Sequence, residues 1–439
     1  MKEVSTVLGD WQETYQKKFI TAEEAAKFVK SNDLIAFTIG REAFAVGLAI
    51  AARKDELKNV RIVLPTPGYD FGWYDEGWQD SFRILIGVPT ATCQAALDAR
   101  RIEIIPQPIA SGLVPQPDIV ITEISPPDEK GFCSFGQSLW NKKKQLKEGK
   151  LVIAEVNKRL IRTYGDNYVH VSEIDYFVEH VSSGAFIAMG SLGGRAKREP
   201  APYLKDIAGY VSELIHDGDT IQIGVGRTSE MLVGVGMLDD KHDLGMHSEA
   251  TPPGIITLVK KGVINGSRKT INTGKVTVTT MGGGSKEEMA WAANNPLFEL
   301  VDVDYLEQIS VISAHENMIA VNNALVVQLD GQISAESIGR RLLASPGGQP
   351  AFVVGALMAK GGRAVTVLPS ASKGFSRIVS TFETGTVVTI PRNMADYVVT
   401  EYGIASLRNK TLKERAQELI SIAHPDFRAQ LKKEAAAIY

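Results

Sequence analysis

The sequence predicts an α/β chain made of two similar open, mostly parallel-sheet domains, and three observations predict it. Its 439 residues exceed what one hydrophobic core ordinarily supports. Short β-branched runs alternate with longer stretches of helical period, the order expected of parallel strands joined by helical crossovers. The segment Asp33-Leu-Ile-Ala-Phe-Thr-Ile-Gly-Arg41 also aligns without a gap on Asp219-Thr-Ile-Gln-Ile-Gly-Val-Gly-Arg227. Each copy is an Asp turn, a buried strand and a Gly-Arg turn into a helix, so the halves read as diverged copies of one unit. At the same offset Glu249 falls opposite Val63, a carboxylate where the first half has an apolar strand residue.

Expected strands are Leu34–Thr38, Val60–Leu64, Ile119–Glu123, Leu151–Val156, Thr220–Gly224, Val276–Thr280, Gln308–Ile312, Ala364–Val367 and Thr386–Ile390. Expected helices are Thr21–Ser31, Ala43–Lys54, Tyr203–Ile215, Lys286–Asn294 and Leu412–Ala423. The stretch 191–202 is rich in Gly, Pro and charge and has no period, so it reads as a linker between domains 1–190 and 203–439.

A formal net charge of -3 is too balanced for nucleic acid or an anionic membrane as the main partner. The Met1-Lys2-Glu3-Val4 start lacks a signal-peptide pattern, and no apolar window is long enough to span a bilayer. A cytoplasmic location is the expectation. Cys93 and Cys133 have no metal-type spacing and read as buried thiols; no metal site is expected.

Two segments can carry chemistry. Gly224-Val225-Gly226-Arg227-Thr228 ends a β-rich run and leads into a helix. Glycines there let backbone N–H groups approach a phosphate or a carbonyl oxygen, although a purely structural turn fits the segment alone equally well. It lacks the third glycine of a dinucleotide fingerprint, which sets aside a nicotinamide dehydrogenase. Asp243–Glu249 is a short apolar segment ended by Pro252, Pro253 and Gly254. A carboxylate at the end of a parallel strand faces the crevice where open α/β sheets bind ligands. His247 lies on the same face if the segment is extended. By itself the segment also fits a solvated Glu beside a structural His. Triple-Gly 282–284 and the Gly347-Gly348 turn add flexible backbone, which points to a ligand approached closely by main chain.

Taken together, several stretches resemble the family I coenzyme A transferases, in particular the single-chain acetyl-CoA hydrolase/transferase and 4-hydroxybutyrate CoA-transferase branch. They are Ser125–Gly136, Ala154-Glu-Val-Asn157, His170–Asp175, Asp243–Glu249, Asn294-Asn-Pro296, Leu368–Lys373, Val398–Gly403 and Ile422–Arg428, in order along essentially the whole chain. The resemblance implies ping-pong chemistry. Glu249 attacks an acyl-CoA thioester to give an acyl-glutamyl anhydride, and the released CoA then forms a glutamyl-CoA thioester. A carboxylate nucleophile keeps the group-transfer potential that a Ser ester would dissipate. An unperturbed Glu is ionised at neutral pH, so no activating base is required.

The resemblance further implies that Gly224, Val225, Gly226, Arg227 and Thr228 bind CoA and line the oxyanion hole. It implies Gly348 as backbone donor, with Asn323, Gly347 and Lys373 as further CoA contacts. No cofactor stays permanently bound, because CoA is substrate and covalent intermediate. The partners implied are an acyl-CoA and a small carboxylic acid, within a homo-oligomer. Relatives place a side-chain amide on the oxyanion; here the corresponding stretch is Ser313-Ala-His315-Glu-Asn317, leaving His315, Asn317 or neither. The aromatic stretch 69–78 either covers the sheet edge or shapes an acyl pocket. An acyl-CoA hydrolase on the same site and a catalytically silent CoA-binding protein are the alternatives.

Overall fold

Aliphatic and β-branched runs buried on both faces set the frame, as strands with helices on each side must be. The computed structural model describes residues 11–40, 43–106, 116–183 and 199–439. These fall into two compact units, one ending at Ser183 and the other beginning at Glu199. Most of the expected linker, 191–202, lies outside the described residues.

The first unit contains β1 (Leu34–Phe37), β2 (Val60–Leu64), β3 (Phe82–Ile86), β4 (Glu103–Ile104), β5 (Ile119–Ile124), β6 (Leu151–Val156) and β7 (Tyr176–Glu179). They form one parallel sheet in the order β7-β6-β5-β1-β2-β3-β4. Helix α1 (Ala22–Ala26) starts at a reciprocal cap between Thr21 and Glu24, which satisfies two end N–H groups. Helix α2 (Phe44–Ala51) is apolar on most sides and packs into the core with Tyr69, Phe71, Trp73 and Phe82. Phe71 and Trp73 rings stand 4.5 Å apart, and Phe37 and Trp73 rings 5.6 Å. The stretch 69–78 thus supplies Tyr69, Phe71, Trp73 and Tyr74 to the core of this unit, with Trp78 packed against it.

In the second unit the strands are β8 (Thr220–Ile223), β9 (Gly245–Thr251), β10 (Val276–Met281), β11 (Phe298–Leu300), β12 (Met318–Asn323), β13 (Arg363–Val367), β14 (Tyr397–Thr400) and β15 (Gly403–Ser406). They pair in the order β15-β14-β13-β12-β8-β9-β10-β11. Only the β14–β15 ladder among these is antiparallel. From β14 to β11 the order repeats that of the first unit strand for strand, with β8 standing for β1 and β9 for β2. The second unit's helices include α3 (Tyr203–Glu213), α4 (Ser229–Gly234), α5 (Lys286–Ala292), α6 (Val303–Leu306), α7 (Ile309–Ser313), α8 (Gln349–Met358) and α9 (Leu412–Ser421), besides Ile255–Lys260 and Pro425–Ile438. Reciprocal caps at Ser285 with Glu288 and at Thr411 with Glu414 start α5 and α9.

Two expected strands are absent. Gln308–Ile312 falls at helix α7, and the strand of that region is β12, after the left-handed residue Asn317. A five-residue apolar run does not distinguish the two periods, and packing of α7 on α8, with Ile312 against Gly355, decides for helix. Thr386–Ile390 is β-branched, yet only Ile390 bridges to another segment, at Ile333, while Val387 and Val388 stay exposed. Propensity without a neighbouring strand to pair with makes no ladder. Among the described residues no helix is long and apolar enough to cross a membrane. Both cysteines are buried and free, and burial raises the Cys133 thiol to about 12.

Candidate active site

Strand β9 carries the central group. It lies between β8 and β10, every residue from Gly245 to Thr251 is buried, and Pro252-Pro253 ends it. Glu249 sits near its carboxyl end with 7% exposure. Its carboxyl receives the backbone N–H of Gly348, which precedes α8, and is hydrogen-bonded to the carboxyl of Glu307, which follows α6. Gly348 must lack a side chain: a Cβ there would lie 2.7 Å from Glu307 Oε1 and 3.0 Å from Glu249 Cδ.

Burial raises the pKa of Glu249, opposed by the hydrogen bonds from Glu307 and Gly348. Burial, then the Glu249 charge, raises Glu307 well above the carboxylate range. Two carboxylates cannot bond each other without a proton, so the pair shares one, and the stronger rise at Glu307 favours its side. Glu249 is thus perturbed, unlike the ordinary Glu expected from sequence.

His247 lies on the same face of β9, wholly buried, and its Nε2–H donates to Leu306 O at 2.8 Å. This bond pins the end of α6 that presents Glu307. Burial holds His247 neutral, well below its usual range. The His315 ring stacks at a tilt 4.7 Å from that of His247, fully buried and pushed down to about 3, first by burial and then by Lys269. It is not among the groups that bond the Glu249 carboxyl. Asn317 is exposed at the amino end of β12, at the edge of the sheet away from Glu249. The sequence offered His315, Asn317 or neither as an oxyanion donor, and neither side chain is among the groups bonded to the Glu249 carboxyl; Glu307 is, and nothing in the sequence around it announces the contact.

The Gly224–Thr228 turn follows β8. Asn323, at the end of β12, accepts from the N–H groups of Thr228 and Ser229, and its Nδ2 donates to Ser229 Oγ at 2.6 Å. Gly226 packs directly on that amide, where a Cβ would overlap it. Asn323 thus shapes the turn and spends its polar atoms doing so. Gly347 adopts a left-handed φ of 54° one residue before Gly348, aiming the next N–H at Glu249. Lys373 is exposed in the turn of the small hairpin Ala371–Ser376, and no contact ties it to Glu249. A small cleft lies at the carboxyl ends of β8 and β9, lined by Ile223, Val225, Ala250, Pro252, Pro253 and Gly283 among others. It is the position where open α/β sheets take ligands.

This arrangement supports attack by a buried carboxylate on an electrophilic carbon, with a backbone N–H placed to stabilise an oxyanion. Comparison with known proteins agrees. The acetyl-CoA hydrolase/transferase N-terminal domain matches residues 7–187, and the C-terminal domain of that family matches residues 284–435. The 4-hydroxybutyrate coenzyme A transferase of Clostridium kluyveri is 37% identical over 97% of this chain and 99% of its own length. The succinyl-CoA:cyclohexane-1-carboxylate CoA transferase of Geobacter metallireducens is 32% identical over 99% of each chain. The crystal structure of RipA from Yersinia pestis superposes with a TM-score of 0.89 at 27% identity, covering 98% of this chain and 99% of the other. The two domain matches and the full-length similarity make this chain a member of the acetyl-CoA hydrolase/transferase family.

Proposed function

We propose that the protein is an acyl-CoA:carboxylate CoA-transferase working through covalent intermediates on Glu249. The observation that carries the reading is the Glu249 carboxyl, buried at the end of β9 and bonded by the Gly348 N–H. Attack of a Glu249 oxygen on a thioester carbon yields an anhydride, and attack of CoA sulfur on Glu249 Cδ yields the glutamyl thioester. Both keep the acyl group activated, which suits transfer, and burial keeps water from discharging it. That is why transfer is preferred here over hydrolysis.

In the second step the oxyanion forms on a Glu249 oxygen, where the Gly348 N–H already points. In the glycine turn Gly224 and Thr228 spend their N–H groups on Val321 O and on Asn323, which leaves those of Val225, Gly226 and Arg227 for the CoA side. The acid is read as a small carboxylic acid, with 4-hydroxybutyrate, named in the C. kluyveri relative, as the first to test. A cytoplasmic homo-oligomer accompanies this reading.

The test is incubation with acetyl-, butyryl- and 4-hydroxybutyryl-CoA, with and without an acceptor acid. Transfer gives parallel double-reciprocal lines and a hydroxylamine-sensitive adduct on the Glu249 peptide. CoA release that ignores the acceptor, or an adduct elsewhere, overturns the reading.

A further inference from the structure

Glu307 does more in this geometry than occupy space. Its carboxyl shares a hydrogen bond with Glu249, its Oε1 is buried without a hydrogen-bond partner, and Gly348 leaves open backbone against both groups. Any sulfur that reaches Glu249 Cδ arrives beside that carboxyl. Resting on the covalent reading above, we propose that Glu307 is a second catalytic residue that stores the proton of the coenzyme A thiol during transfer.

The steps balance. A Glu249 oxygen bonds the acyl carbon, the C–S bond breaks with its electron pair going to sulfur, and sulfur takes the Glu307 proton. The site then holds a neutral anhydride, a CoA thiol and a Glu307 carboxylate. Next, sulfur bonds Glu249 Cδ and its proton returns to Glu307. The anhydride C–O bond breaks with its electrons on the departing carboxylate. Net charge in the site stays constant, and no bare thiolate is left in a water-poor cavity, where it would be costly.

The environment favours this exchange. Glu307 is held protonated first by burial and then by the Glu249 charge, with Asp304 contributing from its own helix. Acylation neutralises Glu249 and removes that charge, so Glu307 releases its proton more readily when sulfur needs it. Restoring the Glu249 carboxylate reverses the effect. An acid raised well above the carboxylate range, and eased when Glu249 is acylated, is suited to give a proton and take it back. The surrounding elements β10, α7 and α8 carry no ionisable residue, and β9 adds only His247, which burial keeps neutral.

Glu307→Gln, Glu307→Asp and the parent are compared by single-turnover formation of the Glu249 adduct, using whichever of the three acyl-CoAs the parent transfers fastest. Glu307→Gln keeps an N–H donor for Glu249 but cannot move a proton. Its expected rate is lower by about 10²-fold, in the range of lost general acid–base catalysis, and its pH profile lacks the alkaline limb. Glu307→Asp retains that limb. The parent's single-turnover rate is expected to fall in D2O. A Glu307→Gln rate and profile equal to the parent's overturn the proposal, as does a parent rate unchanged in D2O if that variant fails to fold. An adduct absent from Glu249 in the parent strikes the covalent reading instead, so the two failures are separate.

Discussion

The side-chain oxygen of Asn323 accepts two successive backbone N–H groups, from Thr228 at 3.0 Å and Ser229 at 2.9 Å, tying the end of β12 to the glycine turn after β8. Asn323→Ala leaves both donors partly buried and unpaired. A loss of about 1–3 kcal/mol is expected in urea unfolding. If the turn binds CoA, the KM for acyl-CoA rises more than kcat falls.

Glu249→Gln removes the nucleophile, and turnover is expected to drop by at least about a thousandfold. Stability moves the other way. Burial raises the folded pKa of Glu249 and Glu307, so their contribution is fully present below the ordinary carboxylate value and is lost as pH rises through the folded values. Thermal melts should show the variant gaining on the parent with rising pH. A gap that shrinks instead would contradict the buried, shared-proton pair.

The His247–His315 pair sets the opposite slope. His315 falls from its usual 6.5 to about 3 in the fold, so the unfolded chain takes a proton that the folded one refuses. Stability is present above the usual value and declines as pH falls toward the folded one. His315→Phe keeps a ring against His247 and deletes two buried nitrogens without partners. Its melting temperature should depend less on pH than the parent's between about 6 and 4.

In the first unit, Glu155 Oε2 accepts from Ala45 N at 2.9 Å and Val46 N at 3.3 Å at the start of α2, and Oε1 meets His180 Nδ1 at 2.7 Å. Glu155→Gln loses the anion at a helix N-terminus and risks turning an N–H donor toward other donors. A cost of about 1–3 kcal/mol is expected, with faster hydrogen exchange at Ala45 and Val46.

Much of this frame is legible in the sequence because parallel strands buried on both faces must be apolar runs, as at Ile119–Ile124 and Leu151–Val156. Strand β9 was accessible through the residues that stop it, Pro252 and Pro253, which put Glu249 near a strand end. What stayed hidden was tertiary. Glu307 is one acidic residue after an ordinary helical turn, and only the approach of α6 to β9 makes it the partner of Glu249. His315 looked like a polar candidate because sequence does not show that its ring is swallowed against His247. The 69–78 aromatics were open to two readings, since cluster composition does not separate a ligand wall from a core.

The matching strand order of the two units has a consequence for how such a site can arise. Strand register sets Val63, paired with Ala36, opposite His247 and not Glu249 as the sequence offset had it; Glu249 falls opposite Pro65, just past the end of β2, so the first unit keeps no charge at that place. The molecule thus contains its own chemically inert twin of the nucleophile strand, showing that the scaffold closes without the charge. Duplication would leave one copy to guarantee folding while the other tolerated an ion in its interior. Glu249→Val should accordingly yield a folded, silent protein, and the carboxylate is a tenant of the sheet, not one of its supports.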